Sequence, residues 1–184
     1  MIITGGTGNG FAAGVTEENR LQSDCITQTQ ESHANAHEGA AYHALFDQSA
    51  TAGDDCIFYM FNNDSTDILV EGIWLSASAA CEVYIKLGDT GTRNGATAIT
   101  PTNCNAASGN TADGTFEQGV DLDGGAATLT GGTEVERYVF RAANNSTYFN
   151  FVQDIVIPKN QSLTIWNSSA TPTVNGTVVF FFHA

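Results

Sequence analysis

Two runs of β-forming residues limit the folds open to this chain more than anything else in it. Residues 55–87, DCIFYMFNNDSTDILVEGIWLSASAACEVYIKL, and residues 174–184, VNGTVVFFFHA, are short apolar stretches that polar residues interrupt mainly at turns. β-Branched and aromatic side chains fit a pleated, half-buried surface, whereas Asn, Asp, Gly and Ser suit tight turns. The pattern is that of packed sheets and contact surfaces. No catalytic or cofactor motif lies between the two runs.

From Asp55 onward the pattern persists, with candidate strands at 55–62, 67–76, 80–88, 115–121, 126–130, 134–142, 147–157, 161–167 and 174–183. Suitable turn residues separate them: Asn62-Asn63-Asp64, Gly88-Asp89, Gly124-Gly125, Gly131-Gly132, Asn144-Asn145, Pro158-Lys159-Asn160 and Asn175-Gly176. Residues 89–114 form a long polar excursion, of a length that usually signals a functional or interface-forming loop. Short strands at this spacing, with little helix, predict an all-β fold: an antiparallel β-sandwich, jelly-roll-like.

Residues 1–50 read differently, with few β-branched runs and little alternation. They are expected to form an extended N-terminal arm and lead-in segment, leaving 51–184 as the sandwich domain. Glu17 to Leu21 could form one helical turn, and Ser32 to Leu45 tolerates a helix interrupted at Gly39. An arm that cannot bury itself orders against a partner.

Strict alternation assigns faces. Cys81, Val83, Ile85 and Leu87 share one side of their strand, with Glu82, Tyr84 and Lys86 on the other. Ile57, Tyr59 and Phe61 oppose Phe58 and Met60, and Val178, Phe180 and Phe182 oppose Val179 and Phe181. Strands apolar on both sides need cover on both sides, from the arm, a loop or another subunit. Phe180 and Phe182 are therefore candidate partner contacts.

Charge narrows the partners. Six Lys and Arg face twenty Asp and Glu, a formal net charge of −14, although charged residues make up only 14% of the chain. Nucleic-acid affinity rests on phosphate neutralisation by cations, and anionic lipid repels an acidic protein, so neither is expected as a partner. No stretch approaches the ~18 apolar residues of a membrane-spanning helix. MIITGGTGNG lacks the basic start and apolar core of a secretory signal, so export by the general route is not expected.

Residue types that carry chemistry are present without the patterns that chemistry needs. Cys25, Cys56, Cys81 and Cys104 lack zinc-site spacing, and Cys56 and Cys81 read as buried thiols within strands. His33 and His37 could share a metal on a helix, with His43 and His183 elsewhere, yet no H-E-x-x-H motif accompanies them. Asp121, Asp123 and Gly124 resemble a calcium-loop fragment without its terminal acid, and read as a solvated strand-to-turn junction. Glu71 and Glu136 could pair for glycosidic hydrolysis, but alternation sets Glu71 with Leu69, Ile73 and Leu75, opposite Trp74. GGTGNG follows no strong strand, and no G-x-S-x-G elbow occurs. No enzyme activity, metal or cofactor is expected. Trp74, Trp166, Tyr84 and Tyr138 are candidate stacking platforms for a carbohydrate.

Several segments, in order, carry a family resemblance: GFAAGVTEENRLQ, ESHANAHEGAAYH, CIFYMFNNDSTDILVEGIWLS, TPTNCNAASGN and IVIPKNQSLTIWNSS. Together they span most of the chain. They resemble tailed-bacteriophage virion proteins, the small β-sandwich proteins of the capsid decoration (cement) or head-fibre type. The resemblance implies a non-enzymatic protein on the capsid surface, made in the host cytoplasm, with the major capsid protein as partner. It also implies a homo-oligomer, a trimer above other states. By the same analogy Val15, Asn19, Arg20 and Leu21 lie in the arm that touches the capsid or a neighbouring subunit. The alternatives are a carbohydrate- or receptor-binding jelly-roll module of a phage fibre or tail, and a single jelly-roll capsid subunit. The shortage of basic residues weighs against the last.

Overall fold

The computed structural model describes residues 14–15, 21–22 and 30–183. Two short strands, β1 (Gly14–Val15) and β2 (Leu21–Gln22), pair antiparallel. A helical turn, α1 (Gln30–His33), runs into a π-helix (Ala34–Glu38) that ends at Gly39, whose φ of 61° a glycine adopts without strain. The sandwich follows: β3 (Ala41–Ser49), β4 (Asp55–Phe61), β5 (Asp67–Ala77), β6 (Cys81–Leu87), β7 (Thr97–Ala98), β8 (Thr102–Asn103) and β9 (Thr115–Gln118), then β10 (Thr133–Phe140), β11 (Asn145–Ile157), β12 (Ser162–Asn167) and β13 (Thr173–His183).

One sheet has the order β10-β6-β12-β4-β9-β7 and the other β11-β5-β13-β3-β8. All their pairings are antiparallel. The long strands alternate between sheets: β3 to β6 cross at every connection, and so do β10 to β13. Between the sheets lies one core of interdigitated apolar side chains. Phe46 meets Phe58 with ring centroids 5.0 Å apart, and Phe116 meets Phe180 at 5.2 Å. This is an antiparallel β-sandwich.

Several boundaries differ from expectation, each for a local reason. The sandwich begins at Ala41, ten residues before the expected boundary, because the helix stops at Glu38 and β3 pairs along β13. Residues 126–130 form no strand; only Thr130 bridges, to Thr90. Asn175-Gly176 is no turn but lies inside β13, where the Phe46 ring fills the space a Gly176 side chain would take. The turns at Gly88, Gly131, Asn144 and Asn160 are present, each with a positive φ.

Bulges reset two of the face assignments. In β4 the register passes from Phe58 to Cys56 against Ile165 and Trp166, so Ile57 is the extra residue. Ile57 then joins Phe58 and Met60 in the intersheet core, and Cys56 turns outward with Tyr59. In β5 the pairing with β13 passes from Val70 to Gly72, leaving Glu71 as the extra residue. Ile68 and Val70 point inward before it; Ile73, Leu75 and Ala77 do so after it. The slip carries Trp74 to the outer face, where Leu69 already lies, and Ile73 and Leu75 to the core.

Most of the second-face cover comes from the chain itself. Outward Cys56, Tyr59 and Trp166 are sealed by Leu122 and Leu129 of the segment between β9 and β10. Outward Phe181 and Leu69 are sealed by Ala34 of the π-helix. Phe180 and Phe182 face the intersheet core and are buried, which corrects their assignment as partner contacts: their side chains turn away from the surface.

Candidate ligand-binding face

The outer side of the five-stranded sheet leaves an aromatic, Trp74, uncovered among the described residues. Register aligns Leu45 of β3 with Thr177 of β13, Thr177 with Trp74 of β5, and Trp74 with Tyr148 of β11. Leu45 is 57% exposed and Trp74 51%. The Trp74 and Tyr148 rings stack with centroids 4.5 Å apart and planes inclined by 27°. Gly72 makes room for both the strand and the ring: a Cβ there would clash with the Phe149 carbonyl oxygen as well as with Tyr148 Oη.

The next row along the strands is polar. Asp47 pairs with Asn175, Asn175 with Ser76, and Ser76 with Ser146. Gln118 reaches over from the other sheet, its Oε1 accepting the Asp47 backbone N–H at 3.0 Å. The two rows form an open groove with an apolar floor and a rim of carboxylate, amide and hydroxyl groups.

On the opposite outer face, that of the six-stranded sheet, three cations cover aromatic rings. Lys86 Nζ lies 3.6 Å over the Trp166 ring, and the guanidinium carbons of Arg93 and Arg137 lie 4.3 Å over Tyr59 and Tyr84. Three of the five Lys and Arg among the described residues are used this way. Arg93 also bonds Glu117 at 2.7 Å, which holds its pKa up, and Arg137 bridges Glu134 and Glu82. Beneath them the Asp89 carboxylate is buried. It accepts the Gly132 N–H at 2.7 Å, the Thr164 hydroxyl at 2.5 Å and Trp166 Nε1–H at 3.2 Å.

Carboxylate oxygens of Asp55, Asp121 and Asp123 approach within 4.8 Å of one another, so the structure adds Asp55 to the pair seen in the sequence. Two of the three are occupied as clamps. Asp55 Oδ2 accepts Thr51 N–H, Thr51 Oγ1–H and Ala52 N–H at 2.8, 3.0 and 2.6 Å; Asp123 Oδ1 accepts Cys56 N–H at 2.6 Å. Burial, then the charges of Asp121 and Asp55, push the Asp123 carboxyl up. With two of the three carboxylates engaged by backbone N–H groups, the arrangement acts as a backbone lock at the start of β4.

The other sequence candidates are dispersed. Trp166 is buried, Tyr138 packs edge-on against Phe140 and Phe149, and Tyr84 donates to Asp54, leaving Trp74 as the exposed platform of the four. His33 and His37 stack 4.9 Å apart, with Glu38 3.7 Å from His33. Glu71 and Glu136 lie on different sheets. Cys56 and Cys81 are buried thiols, and burial raises the pKa of both. Val15 and Leu21 are register partners in the β1–β2 pair, whereas Asn19 and Arg20 lie outside the described residues. Sequence reasoning missed Tyr148, Asp47 and Asn175 as members of one face; the signal was the run of alternating residues in 41–49 and 145–150, without the register to join them. No protein-family model, curated protein or solved structure matches the chain.

Proposed function

We propose that this is a non-enzymatic virion protein that binds and stabilises the outside of a phage capsid as a decoration protein. The carrying observation is strand order. β3-β13-β5-β11 faces β4-β12-β6-β10, with the chain crossing between sheets at successive long strands. That order supports the jelly-roll reading, two interlocked Greek keys, an architecture used by viral capsid and lectin domains. The support is by analogy of fold. The major capsid protein is the partner, the decoration protein acts as a trimer, and the N-terminal arm with Val15, Asn19, Arg20 and Leu21 makes the contact.

Adding the purified protein to capsids that lack it tests this reading. Stoichiometric binding and greater resistance to heat are expected, with a solution mass three times 19.4 kDa. Capsids that take up no copies, and whose heat resistance is unchanged, refute it.

A second reading is favoured by one observation, the exposed Trp74–Tyr148 stack with its polar rim. In it the protein is a module that recognises carbohydrate or another receptor on a host surface.

A further inference from the structure

We propose that the Trp74–Tyr148 stack and the polar row beside it form a binding site for a neutral saccharide, an inference that rests on the second, surface-recognition reading.

The floor is built for stacking. Trp74 is the larger of the two aromatics and half of it meets solvent, although the β5 bulge at Glu71 is what turned it outward. Without that slip Trp74 would lie in the core and Leu75 outside. Tyr148 holds the indole in place through the ring contact at 4.5 Å, and Gly72 clears the space that the Tyr148 ring needs. The result is a preformed apolar plane on a strand paired on both sides, so little ordering opposes ligand binding. One face of a pyranose ring presents C–H groups of slight positive character, and these complement the negative face of an aromatic ring.

The rim supplies the complementary hydrogen bonds. Hydroxyls of a sugar each donate and accept, and so require partners of both kinds. Asp47 accepts only, Asn175 does both through the C=O and NH2 of its amide, and Ser76 and Ser146 do both through one oxygen. Register places these four in a single row across all four long strands of the sheet, one step along from the aromatic row. The span suits a ligand that lies flat across strands.

Charge and size select the class of ligand. The groove lining contains one carboxylate and no Lys or Arg, so phosphate, sulfate and uronate groups have no counter-charge there. A protein partner fits less well. Protein interfaces centre on clustered, buried apolar anchors, whereas only Leu45 and Trp74 in this groove are large exposed apolar groups.

Titration of the full chain with neutral gluco-, manno- and galacto-oligosaccharides, read by tryptophan fluorescence and by glycan array, tests the assignment. Trp74 and Trp166 are the two tryptophans, and Trp166 is buried, so the ligand response belongs to Trp74. Saturable binding of at least one neutral oligosaccharide is expected. Trp74→Ala should weaken it about tenfold or more, as for loss of one stacking contact, and Asn175→Ala severalfold. Val139→Ala, exposed on the other sheet, should leave it unchanged. Binding that survives Trp74→Ala, or a preference for sulfated over neutral glycans, overturns the site. So does absence of glycan binding where Trp74→Ala abolishes attachment to host cells, an outcome that keeps the receptor reading and makes the receptor a protein. Attachment to neither glycans nor cells removes the receptor reading along with the site.

Discussion

Asp89 shows how one residue can hold a whole face closed. It sits at the β6 exit, after Gly88, where its carboxylate collects donors from β12 and from Gly132 ahead of β10. A buried carboxylate is tolerated only when hydrogen bonds replace its water. Asp89→Ala takes this acceptor from the half-buried Gly132 N–H and the buried Thr164 hydroxyl, while Trp166 Nε1–H keeps Thr164 Oγ1 at 2.8 Å, and each donor left unsatisfied costs ~1–3 kcal/mol. We expect a loss of roughly 3 kcal/mol in urea unfolding; a loss under about 1 kcal/mol means water satisfies the site. Asp123 makes a prediction of opposite sign. Its folded pKa is raised, by burial first and then by Asp121 and Asp55. Its contribution to stability is therefore full below the unfolded value of about 3.9 and is lost as pH rises through the folded value. Asp121→Asn removes one of the charges that push it up. The variant should melt higher than the parent at pH 7, by less than about 1 kcal/mol after solvent screening, with the gain vanishing near pH 3. An equal gain at both pH values would show that the charge is irrelevant.

At the scale of elements, Gly176 states the packing logic of the five-stranded sheet. Paired with an Asn, it reads as a turn, yet it occupies an inward position of β13. A Cβ there would come within 2.3 Å of the Phe46 ring, which itself packs on Phe58 across the core. Gly176→Ala is therefore an overpacking change, expected to destabilise by ~1–3 kcal/mol despite the better strand propensity of alanine. Phe46→Leu should offset part of it, so the double variant should lose less than the sum of the singles. Additive losses would place the strain elsewhere. The same strand explains what was legible in the sequence. Apolar runs and turn residues located β4, β5, β6 and β10 to β13 within a few residues, because period-2 burial and turn chemistry are local. β3 was hidden: its core face is Tyr42, Ala44 and Phe46, while exposed Leu45 and the alanines imitate a helix. The bulges at Ile57 and Glu71 were invisible for a different reason. A bulge is set by register with a partner strand, and one extra residue sends every later side chain to the other face. The candidate site depends on such a slip, since strict alternation fixed Trp74's side relative to Glu71 but not which side was the core.

For the molecule as a whole, charge is distributed so that attraction is local and repulsion is general. Arg93 and Arg137 are tied to carboxylates, and together with Lys86 they lie on the outer face of one sheet. Twenty acidic residues against six cations leave the chain with a formal net charge of −14, so like-charge repulsion dominates at long range. Repulsion of this kind keeps proteins dispersed and opposes the compact state. Salt acts on both kinds of interaction, and their ranges decide the net effect. Ion pairs at 2.7–3.0 Å, two of the cations also lying over rings, are inside the screening length at any moderate ionic strength. Like-charge interactions act over longer distances, and raising NaCl from about 10 mM to about 500 mM shrinks the Debye length from ~30 Å to under ~10 Å, which removes them first. The melting temperature should therefore rise with NaCl across this range. Replacing NaCl by a neutral osmolyte of equal osmolality separates charge screening from solvent exclusion. A melting temperature that falls with salt would mean that the few ion pairs outweigh the repulsion among the surplus carboxylates. The ion pairs on the outer face of the six-stranded sheet would then be the main electrostatic support of the fold.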